Sequence, residues 1–251
     1  MKKYNIIYSL GRDCACSSYL KKNGLRLTSG PFDWLTNAGF EQRFDLILND
    51  FENFLNKEDL IPMPKPTQFP ADKNNDYYEN KRTGLYFWHD FPADKSFDQS
   101  YPLIKQKYNR RIDRFYKNIK KHKRVLLVWF SQLHNTDKDL IVELCNKFCK
   151  KVGKRVDFLI IEHIEGLQEV KTVQLQENII KHCCHTTRVD EKGVPQTFGN
   201  ETLINPIFQQ YKIMIPFYTK IIKAITKILI KILCLFVPVK KWRKKLRSLY
   251  K

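Results

Sequence analysis

Residues 124–164 read RVLLVWFSQLHNTDKDLIVELCNKFCKKVGKRVDFLIIEHI, and this stretch decides the fold. The apolar runs RVLLVWF (124–130) and RVDFLIIEHI (155–164) read as buried strands. Between them, DKDLIVELCNKFCKKVG (137–153) spaces its apolar residues as an amphipathic helix does, with Asp at its start and Gly at its end. Strand, helix, strand in that order predicts a βαβ unit and a parallel sheet.

The N-terminus repeats the theme. YNIIYSL (4–10) reads as a buried strand stopped by Gly11, GRD as a turn, and CACSSYLKKNG (14–24) as a helix closed by Gly24. LRLTSGPFDW then reads as loop, residues 38–56 as helical, and the Pro- and Asn-rich tract 61–82 as loop. GLYFWHDFP is a short aromatic strand ending at Pro92, 103–121 a strongly basic helix, and VKTVQLQ and NIIKHCCHT two further β-like runs. The expected architecture is an α/β domain over residues 1–205, its mixed or parallel sheet flanked by helices, with a papain-like α+β arrangement as the alternative. A C-terminal tail, 206–251, follows. No G-x-G-x-x-G or Walker-type phosphate loop is present.

Charge separates these two parts. The net charge is +19, but the stretch from Pro206 to Lys251 holds twelve Lys or Arg and no Asp or Glu. Removing those twelve leaves +7 for the first 205 residues, an ordinary balance that argues against a nucleic-acid-binding core. The N-terminal apolar run is too short for a secretory signal. Seven cysteines then point to reduced thiols in the cytoplasm rather than a disulfide framework.

Among those cysteines, Cys14 follows a buried strand and a Gly-containing turn, at the first turn of the next helix. Unpaired N–H groups at a helix N-terminus favour thiolate over thiol, and could hold the oxyanion formed when that thiolate attacks a carbonyl. Arg12 adds positive potential there and Asp13 opposes it. The plainer reading is a small apolar packing residue. Cys16, two residues on, points to another helix face and cannot share one attacking position with Cys14.

YSLGRDCACSSYLKKNGLRLTSGPFDW resembles the opening signature of a family named for papain-like cysteine peptidases and itself of unknown function. The H-D-F segment at His89, Asp90 and Phe91, and the R-R-I-x-R-F run at Arg110, Arg111, Ile112, Arg114 and Phe115, are similar to later pieces of it. The resemblance covers roughly residues 4–165, and SGPFDW is its most specific part. It implies a papain-like Cys–His arrangement with Cys14 as nucleophile.

Such a thiolate needs a base and a group to orient the base. His89, at a position that matches the family, is the first candidate, and Asp90 lies on the opposite face if the strand is regular. Asp33 of GPFDW is the other candidate orienter, against a role as a turn-forming Asp bonded to local backbone. His163 follows the RVDFLII strand at its carboxyl end and is the second candidate base; His134 occupies a similar strand-end position. HCCH (182–185) does not read as a zinc site, because consecutive strand residues alternate faces. Cys145 and Cys149 share the apolar face of a helix and read as core. No metal and no cofactor is implied.

In the tail, Lys220, Lys223, Lys227 and Lys231 fall within about 80° of arc on a helix otherwise rich in Ile, Leu and Phe. Pro238 and the polybasic run 240–251, with Trp242 and Tyr250, follow. Together they describe a helix lying in an anionic bilayer surface rather than crossing it. The expected function is a thiol-dependent hydrolase or acyl transferase acting on an acyl or peptide substrate near the cytoplasmic face of a membrane. The alternatives are a non-catalytic binding module, with aromatics such as Trp34, Phe87, Trp88 and Trp129 suited to sugar stacking, or a glycosyltransferase-like protein of surface-polysaccharide machinery.

Overall fold

Every residue of VLLVWF is buried, and so is every residue of IIYSLG near the N-terminus. Strands covered on both faces belong inside a parallel sheet, because helical crossovers lie on both of its sides. The computed structural model describes residues 1–65, 73–133 and 135–214, together with Ile225 and Leu229. In chain order it runs β1 (Lys2–Tyr4), β2 (Ile6–Gly11), α1 (Cys14–Lys22), β3 (Leu35–Asn37), α2 (Phe40–Leu48), β4 (Leu60–Met63), β5 (Asn75–Asn80), β6 (Leu85–Pro92) and α3 (Phe97–Lys121). Then come β7 (Val125–Phe130), α4 (Lys138–Val152), β8 (Asp157–His163), β9 (Lys171–Gln176), β10 (Ile179–Cys184), α5 (Glu201–Phe208) and β11 (Tyr211–Ile213).

The main sheet has the order β2-β7-β8-β10-β9. Its first four strands are parallel, and β9 runs antiparallel along the edge. The expected βαβ unit is therefore β7–α4–β8. Side chains alternate across the sheet. On one face Ile7, Val128 and Leu159 meet Tyr19 and Leu20 of α1 and Ile204 and Phe208 of α5. On the other, Tyr8, Leu127, Trp129 and Phe158 meet Phe44 of α2, Phe115 of α3 and Phe148 of α4. This is a mixed α/β fold flanked by five helices among the described residues.

The tract 61–82 is not wholly loop. It contributes β4 and β5 to a second, antiparallel sheet of order β3-β6-β5-β4. The helix expected over 38–56 ends at Leu48, and Asp50, Phe51 and Asn53 then take left-handed backbone angles that stop it. The domain boundary expected at 205/206 falls inside α5. Ile207 and Phe208 are buried against α1, and β11 pairs in parallel with β1. The first compact unit accordingly runs Met1–Ile213, and the second is Met214–Lys251. Lys220, Lys223, Lys227, Lys231 and the 240–251 run lie outside the described residues. Among the described residues no helix is long and apolar enough to cross a membrane.

Candidate active site and binding cleft

The SLGRDC segment is a strand end, a tight turn and a helix start, held from beneath by one arginine. Arg43 of α2 is fully buried and forms no ion pair among the described residues. Its guanidinium instead donates to the carbonyls of Leu10 (2.9 Å), Arg12 (2.6 Å), Leu35 (3.1 Å), Asn37 (2.7 Å) and Ala38 (3.3 Å). Two of those carbonyls belong to Asn37 and Ala38, which hold left-handed angles that non-glycine residues adopt at a cost. Its planar face lies 5.2 Å from the Phe32 ring and 5.9 Å from that of Trp129. Burial lowers its pKa to about 9, with Asp13 opposing that shift. Gly11 is required because a Cβ there would sit 2.2 Å from Arg43 Nη1, and its φ is +106°.

Asp13 is the N-cap of α1, its Oδ1 accepting the Ala15 N–H at 2.8 Å. Cys14 is therefore the first helical residue, and it is half-buried. The expected low thiol pKa is not found. Burial, reinforced by the Asp13 charge, pushes Cys14 up to about 12. One of the first-turn amides expected to hold an oxyanion, that of Ala15, is already occupied by Asp13. Cys16 is fully buried, and its thiol points to the Val128 carbonyl at 3.5 Å, which removes it as a rival nucleophile.

SGPFDW packs behind α1. The Ser17 hydroxyl donates to the Asp33 carbonyl at 2.8 Å, and Arg114 Nη2 donates to the Ser29 carbonyl at 2.7 Å. Asp33 points inward, 1% exposed, and its carboxylate pairs with Arg26 at 3.1 Å. Burial raises its pKa to about 6 against the pull of Arg26 and the Gly30 N–H. A Cβ on Gly30 would come 2.9 Å from the Tyr8 ring, so the loop approaches β2 closely. The motif pieces L-R, SGPFDW and R-R-I-x-R-F thus converge in one buried polar cluster.

None of the acid–base candidates forms a hydrogen bond with the Cys14 thiol among the described residues. His89 is exposed and lies edge-on to Trp34, with ring centroids 6.0 Å apart. Asp90, on the other side of β6, pairs with Lys107 and accepts the Tyr108 hydroxyl at 2.7 Å, so it does not orient His89. Asp33 is taken by Arg26. His163 accepts the Thr186 N–H on Nδ1 at 3.1 Å, while its Nε2 meets Glu165 at 2.9 Å. Among the described residues no hydrogen bond joins the Cys14 thiol to a histidine; His134 lies outside them.

His163, Glu165 and His185 are the described residues best placed for a metal, with one ligand atom from each lying within 4.8 Å of the others. Their own hydrogen bonds oppose it. A ligating imidazole usually donates its second N–H, yet Nδ1 of His163 faces the Thr186 N–H, and Nδ1 of His185 accepts the Gly166 N–H at 3.0 Å. The trio is accounted for as a polar clasp across the ends of β8 and β10. In HCCH, His182 turns to Thr172 (Nδ1 to Oγ1, 2.8 Å) while His185 joins the clasp, so the four do not share a site.

The concave surface lies beside Cys14 rather than around it. A cleft of about 500 Å³ opens where the carboxyl ends of β2, β7 and β10 meet β3 and β6. Arg12, Asp13, Thr36, Trp88, Gln132 and Arg188 are among its walls. A smaller one of about 400 Å³ shares Arg12 and Asn37 with it and adds Arg82. Neither is lined by Cys14, Asp33, His89, Asp90 or His163. Arg43 and this cleft escaped the sequence reading. A signal for Arg43 existed, since it sits three residues after Phe40 and four before Ile47, on the apolar face of α2.

An uncharacterized protein, R408, of Acanthamoeba polyphaga mimivirus is 32% identical over 127 residues, 46% of this chain and 57% of that protein. The chain thus spans little more than half the length of that relative. No solved structure matches. The profile of the family described as "Putative papain-like cysteine peptidase" matches residues 5–166, which takes in both the SLGRDC turn and SGPFDW, and the chain belongs to that family.

Proposed function

We propose that this chain is a thiol-dependent hydrolase or acyl transferase in which Cys14 attacks an acyl carbonyl. The observation that carries the reading is the position of Cys14: half-buried, first in α1, directly after two residues that wall the cleft of about 500 Å³. Sulfur forms a bond to the carbonyl carbon, and the leaving group departs with the proton that sulfur gives up. Water or a second acceptor then cleaves the thioester. The resting thiol is protonated, so deprotonation accompanies attack rather than preceding it. His89 is the proposed base, its exposed ring making no hydrogen bond among the described residues. We further propose that the basic tail carries this chemistry to the cytoplasmic face of an anionic membrane, a reading supported by the charge distribution alone.

The raised thiol pKa favours a second reading, a non-catalytic binding module built on the same cleft. Incubation with a simple activated thioester across neutral to alkaline pH, followed by intact-mass measurement, separates the two. The enzyme reading expects an acyl adduct mapped to Cys14 and absent in Cys14→Ser. No adduct on Cys14 at any pH sinks it and leaves the binding module.

A further inference from the structure

Two guanidinium groups that form no ion pair among the described residues share the walls of the larger cleft. Arg12 forms no ion pair among the described residues; its Nη2 donates to Asn37 at 3.3 Å, and its Nε is buried with no hydrogen-bond partner. Arg188 is exposed on the facing loop and likewise forms no ion pair among the described residues. Burial holds the Arg12 pKa below its usual value. A buried donor without a partner costs free energy that a ligand acceptor would return. Thr36 points the same way: it is 5% exposed, lines the cleft, and its hydroxyl has no partner.

The opposite wall is aromatic. Tyr86 and Trp88 stand on β6 with ring planes 23° apart and centroids 6.4 Å apart, and Tyr77 backs Trp88 at 5.5 Å and 14°. Such a shelf takes the flat face of a ring. Asn37, Gln132 and Gln196 add amides that both donate and accept, as a polyol requires. Among the described residues the only carboxylate on the walls is Asp13, whose Oδ1 is spent on capping α1. A lining with one committed acid suits neither a cation nor a basic peptide.

We propose that this cleft binds an anionic saccharide, with the sugar ring against Trp88 and Tyr86 and its oxyanion held by Arg12, Arg188 and the Thr36 hydroxyl. A carboxylate and a phosphate present the same forked acceptor to a guanidinium, so the anion could belong to a uronic acid or a sugar phosphate. The cleft's volume of about 500 Å³ has room for one or two rings. The inference is about binding and does not rest on Cys14 being a nucleophile.

Trp88 supplies the readout. The full chain is titrated with a galacturonate disaccharide, glucose 6-phosphate, unsubstituted glucose, a nucleoside monophosphate and poly-glutamate, following tryptophan fluorescence and, independently, calorimetry. One of the two anionic sugars is expected to bind saturably, and which one identifies the anion, while glucose binds at least about tenfold more weakly. Arg188→Ala, an exposed position that leaves the core untouched, is expected to weaken binding about tenfold, and Thr36→Val severalfold with the fold intact by circular dichroism. Trp88→Ala removes the fluorescence change and weakens the calorimetric affinity. Tighter binding of the nucleotide or of poly-glutamate would overturn the saccharide assignment. No saturable binding of either anionic sugar, or affinity indifferent to Arg188→Ala, would overturn the site.

Discussion

Asp13 acts on Cys14 in two opposed ways. As N-cap it fixes Cys14 as the first residue of α1, where a thiolate would meet the positive end of the helix; as a nearby negative charge it disfavours that thiolate. Asn caps a helix about as well as Asp without the charge. Asp13→Asn is therefore expected to leave stability nearly unchanged and to raise the rate of Cys14 alkylation at pH 8 by roughly threefold to tenfold. In the wild type that rate is expected to lie far below a free cysteine's, because a thiol at about 12 carries roughly a thousandfold less thiolate than one near 8.5. Peptide mapping with iodoacetamide reads both; an unchanged rate in Asp13→Asn would mean that burial alone sets the thiol. The neighbouring turn has a sharper requirement. Gly11→Ala places a methyl against the Arg43 guanidinium and strains a φ of +106°. A loss of about 3 kcal/mol or more in denaturant-derived stability is expected. A loss below 1 kcal/mol would show that Arg43 is free to move and is not the keystone of the turn.

At the scale of elements, β10 carries its own pH dependence. His182 is 3% exposed, and burial, helped by the charge of Lys2, lowers its pKa from 6.5 to about 4. The folded state then binds fewer protons than the unfolded chain between about pH 4 and 6.5, so the stabilising contribution is full above 6.5 and drains as pH falls through 4. About 3 kcal/mol is expected to disappear over that window, and His182→Leu should flatten the corresponding limb of unfolding free energy against pH. A wild-type curve with no slope there would refute the assignment. What the sequence made legible follows the same physics. β7, α4 and β8 announce themselves because burial on both faces demands apolar runs, and the packed face of α4 demands helical spacing. The strands β4 and β5 stayed hidden because LIPM and NDYYEN form the outer part of a small sheet, with Pro62 in the edge strand and buried positions limited to Leu60, Tyr77 and Asn80. SGPFDW, read as a loop, packs behind α1, and its Asp33 serves Arg26, a partnership no local pattern signals. The cleft could not be read at all, since its walls come from positions 12 to 196 and meet only in the fold.

For the whole molecule, the question is where the folded body ends and the proposed membrane-binding part begins. Ile207, Phe208, Tyr211 and Ile213 are all buried, so a chain cut after Asn205 forfeits about 1.5–3 kcal/mol for each large apolar side chain it strips. Most of a domain's margin of about 5–15 kcal/mol would go, and that shortened chain is expected to aggregate. A chain ending at Ile213 keeps these contacts and the β1–β11 pairing, and is expected to unfold at the same temperature as the full chain. The segment beyond retains eleven of the twelve C-terminal positive charges, Lys212 being in β11, and its two described positions, Ile225 and Leu229, are exposed apolar residues four apart. Each Lys or Arg near an acidic surface contributes about 1 kcal/mol, to which apolar burial in the interface adds. The full chain should therefore sediment with phosphatidylserine-containing vesicles, and not with phosphatidylcholine alone, and should bind less as salt shortens the Debye length from about 8 Å. Glu at Lys220, Lys223, Lys227 and Lys231 should abolish the sedimentation. The chain ending at Ile213 should stay in the supernatant, folded. If it sediments as the full chain does, the body itself holds the membrane site; if it unfolds, the apolar residues beyond Ile213 belong to the core and the membrane proposal fails.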